Sequence, residues 1–380
     1  MAHHMMSTSK PRDERGIALI VAVLGIVVVG ALFTGFFMVA VQENRVGHNS
    51  RRAEQAFAAA EHGINATIAN WNAMSWNDLA VMASDTVWGT LSGGTGSYAG
   101  RVQRLNNEIF LVDVTGVANA GRARQRIGAF VKLRNLLFDI QAVLTTRGNS
   151  QIGGNAGVNG NDQGGPWGKC PPLEGLKPGI RIPDADQLTF GGGCKSASCI
   201  DGDPPVDVDP SIDDDTFFEY GDADWDLLVS LATKRLPGDN YQNIGPSLTG
   251  GGDCNTADIK NWGDPENPTA PCGDYLPIIY APGNLTVNTG VGQGILLVEG
   301  DLSAQGKFEF YGIVIVKGSL MSAGNGNKFH GGVMAANFYI DNNMIFGTVD
   351  LAYSSCALAR AQQAGSGGTP LRSRGWIQLF

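Results

Sequence analysis

The stretch IALIVAVLGIVVVGALFTGFFMVAV, Ile17 to Val41, runs for twenty-five residues without a charge. At a rise of ~1.5 Å per residue it is about 37 Å long as a helix, enough to cross a ~30 Å hydrocarbon core with some tilt. A secretory signal peptide has an apolar core of roughly 7–15 residues closed by a small-x-small cleavage site. This run is longer and no Ala-x-Ala closes it, so it reads as a membrane helix. Lys10, Arg12 and Arg15 precede it and Arg45, Arg51 and Arg52 follow it, so flanking charge leaves the orientation undecided. The six Cys and many Gly-rich turns of the remaining chain suit a compartment outside the cytoplasm. The N-terminus is therefore expected inside and residues beyond about 45 outside.

Past the span, Ala53, Phe57, Ala60, Ile64, Ile68 and Trp71 recur at helical spacing, opposite Arg52, Glu54 and Gln55. The apolar run of residues 17–41 is thus expected to continue as an amphipathic helix over 42–78. The period then changes. Arg101–Leu105, Glu108–Thr115 and Arg124–Leu133 alternate as strands separated by Asn106-Asn107 and Asn119-Ala-Gly121. They predict a three-stranded antiparallel meander within 79–137, packed on the helix because so small a sheet needs a partner for its inner face.

The N-terminal region resembles a known family. Arg15-Gly16, the apolar run opening Ile17-Ala-Leu-Ile-Val21, and the segment Arg52-Ala-Glu-Gln-Ala-Phe-Ala-Ala-Ala-Glu61-His-Gly-Ile64 occur in the order seen in minor pilins of type IV pili of the PilX type. They are also similar to the large pseudopilins of type II secretion. The resemblance covers roughly residues 10–75. It implies a leader, residues 1–16, removed by prepilin peptidase after Gly16, with Ile17 as the new N-methylated terminus. It further implies filament packing through positions such as Leu19, Val21 and Leu24, with other pilins, minor pilins and an inner-membrane assembly platform as partners. The implied location is the inner membrane, single-pass with a cytoplasmic N-terminus, and afterwards the pilus at the cell surface, with a role in assembly priming, tip formation or adhesion. One position departs from the pattern: where major pilins carry Glu at the fifth mature residue, this chain has Val21. That resembles tip-capping pseudopilins and points to a rare subunit near a filament tip.

The distal half repeats. Ile278–Val287, Ile295–Ser303 and Ile313–Met321 each place an apolar strand before a Gly corner, at Gly283, Gly300 and Gly318, and Val333-Met-Ala-Ala336 reads as a fourth copy. Such spacing predicts a parallel β-solenoid over 275–358, in which each coil buries its face only on the next. Ala142–Ile152 fits the template and reads as a first coil, residues 138–160. Gly347–Tyr353 reads as the closing strand, and 359–380 as a linker and terminal strand. The solenoid is similar in architecture to the β-helical region of long PilX-type proteins and to bactofilins. The expected fold is therefore α+β joined to all-β.

Residues 161–274 read as an insertion with its own composition. It contains Cys170, Cys194, Cys199, Cys254 and Cys272, while Cys356 lies at the solenoid end. Six Cys outside the cytoplasm suggest three disulfides among 15 pairings, with Cys194–Cys199 and then Cys254–Cys272 the most local. Zinc is disfavoured by the absence of Cys-x-x-Cys and of His in this region. From Asp201 to Asp226 there are ten Asp, one Glu and no Lys or Arg, a charge of −11 in a chain of net −9. Asp201, Asp203, Asp207 and Asp209 are the candidate calcium ligands, although they do not follow an EF-hand loop, and the alternative is a solvated acidic loop. Asp224–Leu236 reads as a short helix.

No Gly-x-Ser-x-Gly, His-Glu-x-x-His or Walker loop occurs, and His330 is the one His beyond the N-terminal helix. Catalysis is therefore not expected, and no cofactor other than calcium is suggested. A polysaccharide-acting enzyme built on a β-helix is the competing class, since paired carboxylates are not recognisable from sequence alone. The acidic balance and lack of a basic cluster argue against nucleic acid.

Overall fold

The computed structural model describes residues 15–379 except 72, 78, 119–122, 135, 139, 168–169, 171–172, 338–341, 366 and 372–375. The leader residues 1–14 and the turn at 119–121 lie outside the described residues. The apolar run and the amphipathic stretch form one helix, α1, Arg15–Ala69, of 55 residues and about 80 Å. It is long and apolar enough to cross a membrane.

Four strands follow: β1 (Ser84–Thr90), β2 (Gly96–Arg104), β3 (Ile109–Ala118) and β4 (Arg124–Leu133). They pair antiparallel in that order, so the meander has one strand more than the sequence suggests. Ser92–Gly94 form the turn between β1 and β2. Alternate residues Phe110, Val112 and Val114 of β3 and Ile127, Ala129 and Val131 of β4 point at α1 and meet Ala60 and Ile64, with Trp71 and Trp76 closing the far end.

The packed face of α1 differs from the expected stripe. Ala56, Ala59, Ala60, Ile64 and Thr67 are buried, whereas Phe57 is 44% exposed. Close approach is the reason. A Cβ on Gly116 of β3 would lie 2.1 Å from the Ala56 carbonyl oxygen and 2.3 Å from the Ala60 nitrogen, so sheet and helix touch backbone to backbone. Beside Gly116 only small residues fit, Ala56 and Ala60; Ile64 packs a turn further along, and Phe57 turns outward.

The second body is a parallel β-solenoid, and its order along the axis is not its order in sequence. On one face the stacked segments run 234–235, 278–281, 295–298, 313–316, 333–335, 144–146, 180–182 and 206–208, every neighbouring pair parallel. A second face stacks 240–241, 285–287, 302–304, 320–322, 342–345, 149–153 and 188–191 in the same order. The chain enters in the middle at residue 144 and winds to one end at 208. It then crosses through two short helices, Asp214–Phe218 and Trp225–Ser230, and resumes at the opposite end, winding back until 333–353 lies on 144–159.

Several sequence expectations change accordingly. The coil at 142–152 is internal, not terminal. The 161–274 stretch supplies rungs at 180–182, 188–191, 200–201, 206–208, 234–235 and 240–241, so it is built into both ends of the solenoid. The helix expected over 224–236 stops at Ser230 because Lys234 and Arg235 are drawn into pairing with Ile279 and Tyr280. The strand Thr348–Tyr353 does not close the stack, since 157–159 pairs on its far side. Where the fourth corner was read at Ala336, the stacked residue is Asn337, whose amide donates to the Gly318 carbonyl at 3.1 Å.

A glycine ladder explains how the rungs turn. Gly294, Gly312 and Gly331 stand in register at positive φ (104°, 141° and 132°). A Cβ on Gly312 would sit 2.0 Å from the Gly294 carbonyl oxygen. Both the left-handed backbone and the rung spacing therefore require Gly.

After residue 353 a helix, Ser355–Gly365, packs against the strands 285–298, 302–316 and 325–335, and the chain returns to the head. Gly368–Pro370 and Trp376–Leu379 both pair antiparallel with β4 and complete that edge of the head sheet. The supposed linker is thus helix and strand.

Candidate functional site

The most unusual surface is the membrane-proximal half of α1. Leu19, Val21 and Leu24 are 68%, 65% and 63% exposed, and Phe33, Phe36, Phe37 and Met38 stand equally free. Contiguous apolar surface on this scale is not carried into water and marks a membrane or protein contact. Gly16 and Ile17, the expected processing pair, lie in the first turns of α1. A Val at position 21 leaves no carboxylate to desolvate in such surroundings.

The Asp candidates do not converge. Asp209 accepts from the Ser211 hydroxyl and amide at 2.6 and 2.9 Å and pairs with Arg181, which hold its carboxyl down at about 2. Asp207 lies 3.8 Å from the same guanidinium. Asp201 and Asp207 are drawn into separate rungs, at 200–201 and 206–208, so their side chains are set by strand pairing. Among the described residues no group of three or more His, Cys, Asp or Glu is arranged to hold a metal. The first part of the acidic segment, 201–209, instead lies at one end of the solenoid, where Asp207, Asp209 and the Pro204-Pro205 pair flank the open edge of 206–208. Charges and Pro at such an edge discourage pairing with another chain.

The cysteines form three disulfides: Cys194–Cys199, Cys254–Cys272 and Cys170–Cys356. The last joins a loop beyond residue 159 to the helix that follows residue 353. It therefore straddles the junction at which distant chain segments stack. Buried amides hold the same junction in register. Asn343 donates to Thr146 Oγ1 at 2.6 Å, Ser150 Oγ at 3.1 Å and Asn337 Oδ1 at 3.0 Å, and accepts from the Leu320 amide at 2.8 Å. Thr146 in turn donates to Asn337 at 2.8 Å. Sequence reasoning missed this network, because polar residues inside short strands look like surface until the partner rung is known.

His330 is the centre of the one His-containing cluster in the solenoid. Its Nε2 is 2.9 Å from Glu309 Oε1, its ring stacks on Tyr311 at 4.4 Å, and the Tyr311 hydroxyl donates to the same carboxylate at 2.6 Å. These bonds, His330 first, hold the Glu309 carboxyl down at about 2, while burial and the carboxylate push the Tyr311 hydroxyl up. His330 and Tyr311 both engage one carboxylate, an arrangement that clasps the rung of Glu309 and Tyr311 to the rung of His330.

Fold and surface together define a class: a helix able to span a membrane, a small α+β head on its distal half, and a disulfide-bonded parallel solenoid. No family model and no curated protein matches the chain. Among solved structures it is similar to the competence-associated pilin ComZ from Thermus thermophilus. Identity is 12%, coverage is 87% of this chain and 97% of that one, and the TM-score is 0.21, too loose a superposition to bear on function.

Proposed function

We propose that this chain is a minor pilin of a type IV pilus, cut by prepilin peptidase between Gly16 and Ile17 and acting in assembly priming and tip formation, not in catalysis. The observation that supports this reading is the division of one continuous helix. Its first half is bare and apolar, and its second half is the spine of a small antiparallel sheet. A simple membrane anchor needs no such continuity, whereas a subunit that leaves the bilayer for a filament must carry its head rigidly on the packing helix.

Under this reading Leu19, Val21 and Leu24 pack against neighbouring pilin helices, and the solenoid projects outward as the surface-contacting part. Val21 favours a place at the tip, where no subunit beyond requires the missing carboxylate. The same feature suits a tip pseudopilin of type II secretion, and a neighbouring retraction ATPase gene would select the pilus. N-terminal sequencing of the mature protein tests the proposal. A sequence beginning at Ile17 is expected, and an intact leader in cells with active prepilin peptidase would overturn it.

A further inference from the structure

We infer that Arg45, His48 and Arg52 form a one-sided binding stripe for the phosphate headgroup of an anionic phospholipid. The inference rests on the reading that residues 17–41 span a bilayer. Arg45, His48, Asn49 and Arg52 are spaced i, i+3, i+4 and i+7 and line one shallow concavity on α1. Arg45 and His48 are exposed and Arg52 is half-buried. Glu43 and Glu54, eleven residues apart and so on a common face, lie about 200° round the helix from Arg45. Arg51 stands about 60° from Glu54, on the acidic side, so the cationic stripe is made by Arg45, His48 and Arg52 alone.

Position along the helix points to the headgroup. Arg45 stands about 6 Å beyond Val41, within a polar layer roughly 5–8 Å thick on each side of the hydrocarbon, with His48 at about 10 Å and Arg52 at about 16 Å on its outer side. Side chains on a helix lean toward its N-terminus, so the longer Arg52 reaches back toward the same layer. Position around the helix gives the sidedness. Ala56 and Gly63, eleven residues beyond Arg45 and Arg52, are on the face buried against the head sheet. The stripe thus looks into the space between the head and the membrane surface. A planar guanidinium suits a phosphate there, and a ligand in that space would fix the depth of the span and the direction of the head.

The test uses the full chain reconstituted in vesicles of phosphatidylcholine alone and of phosphatidylcholine mixed equally with phosphatidylglycerol. Flotation after an alkaline wash comes first, and failure to float from either vesicle would reject the span itself. Protein taken up in mild detergent from the mixed vesicles is then examined by native mass spectrometry for retained lipid. The wild type is expected to keep phosphatidylglycerol in preference to phosphatidylcholine. R45Q/R52Q should lower that preference by about fivefold for each guanidinium removed. R51Q, off the stripe by about 100° from Arg52, should leave it near the wild-type value. Equal retention of the two lipids by a floating wild type would overturn the inference and assign the stripe to carboxylates of a neighbouring protein helix. A loss in R51Q as large as in R45Q/R52Q, or no loss in either, would also overturn it.

Discussion

Single residues hold the junction of the solenoid. Asn343 is fully buried and supplies hydrogen bonds to three side chains of two rungs far apart in sequence. Replacing it by Leu keeps the volume but removes a partner from Thr146 and Ser150 and strands the Leu320 amide, a cost of roughly 2–4 kcal/mol. N343L should show a lower denaturant midpoint at unchanged slope. Glu309 gives the molecule an acid sensitivity. Its carboxyl is held at about 2, below the ordinary glutamate range. Its contribution is therefore complete above roughly pH 4.5 and is lost as pH falls through the window toward 2, on the order of 2 kcal/mol. Unfolding measured from pH 5 to 2 should show this decline in the wild type and a flatter profile in E309Q.

At the scale of elements, the head sheet is finished by a strand from the far end of the chain. Trp376–Leu379 covers 126–129 of β4 and Gly368–Pro370 covers 131–133. Removing residues 376–380 should unpair that edge while leaving the α1 seam intact. Hydrogen exchange should quicken at the β4 amides of Arg126 and Gly128, which face the terminal strand, far more than at Val112 or Val114 of β3. Equal acceleration of both strands would mean that the terminal strand supports the whole head. Much of this level is readable in advance. The 3.6-residue and two-residue periods mark α1, β2, β3 and β4, because each is long enough for burial to impose its rhythm. Phe57 was misplaced because periodicity reports spacing and not how near the opposing backbone comes. Rungs of two or three residues, such as 200–201 and 234–235, carry no period at all.

The whole molecule is closed by contacts between parts remote in sequence. Cys170 and Cys356, 186 residues apart, tie the helix after the last-made rungs to the loop after the first. On loop-closure grounds their link contributes up to about 5 kcal/mol, against about 2 for a link between near neighbours such as Cys194–Cys199. C170S/C356S should therefore lower the guanidinium midpoint more than C194S/C199S, and should open the junction between 144–159 and 333–353 to proteolysis first. By itself, the sequence determined the bare helix, the small sheet and the existence of a solenoid. Those follow from local hydrophobic period and from glycine at fixed intervals, which every neighbouring residue shares. Only the tertiary structure decided that the solenoid starts in its own middle, that the supposed insertion is built into it, and that Asp207 and Asp209 answer Arg181 and not an ion. Parallel pairing joins strands through backbone groups that are the same in every residue, so nothing in a short strand names the distant rung on which it will lie.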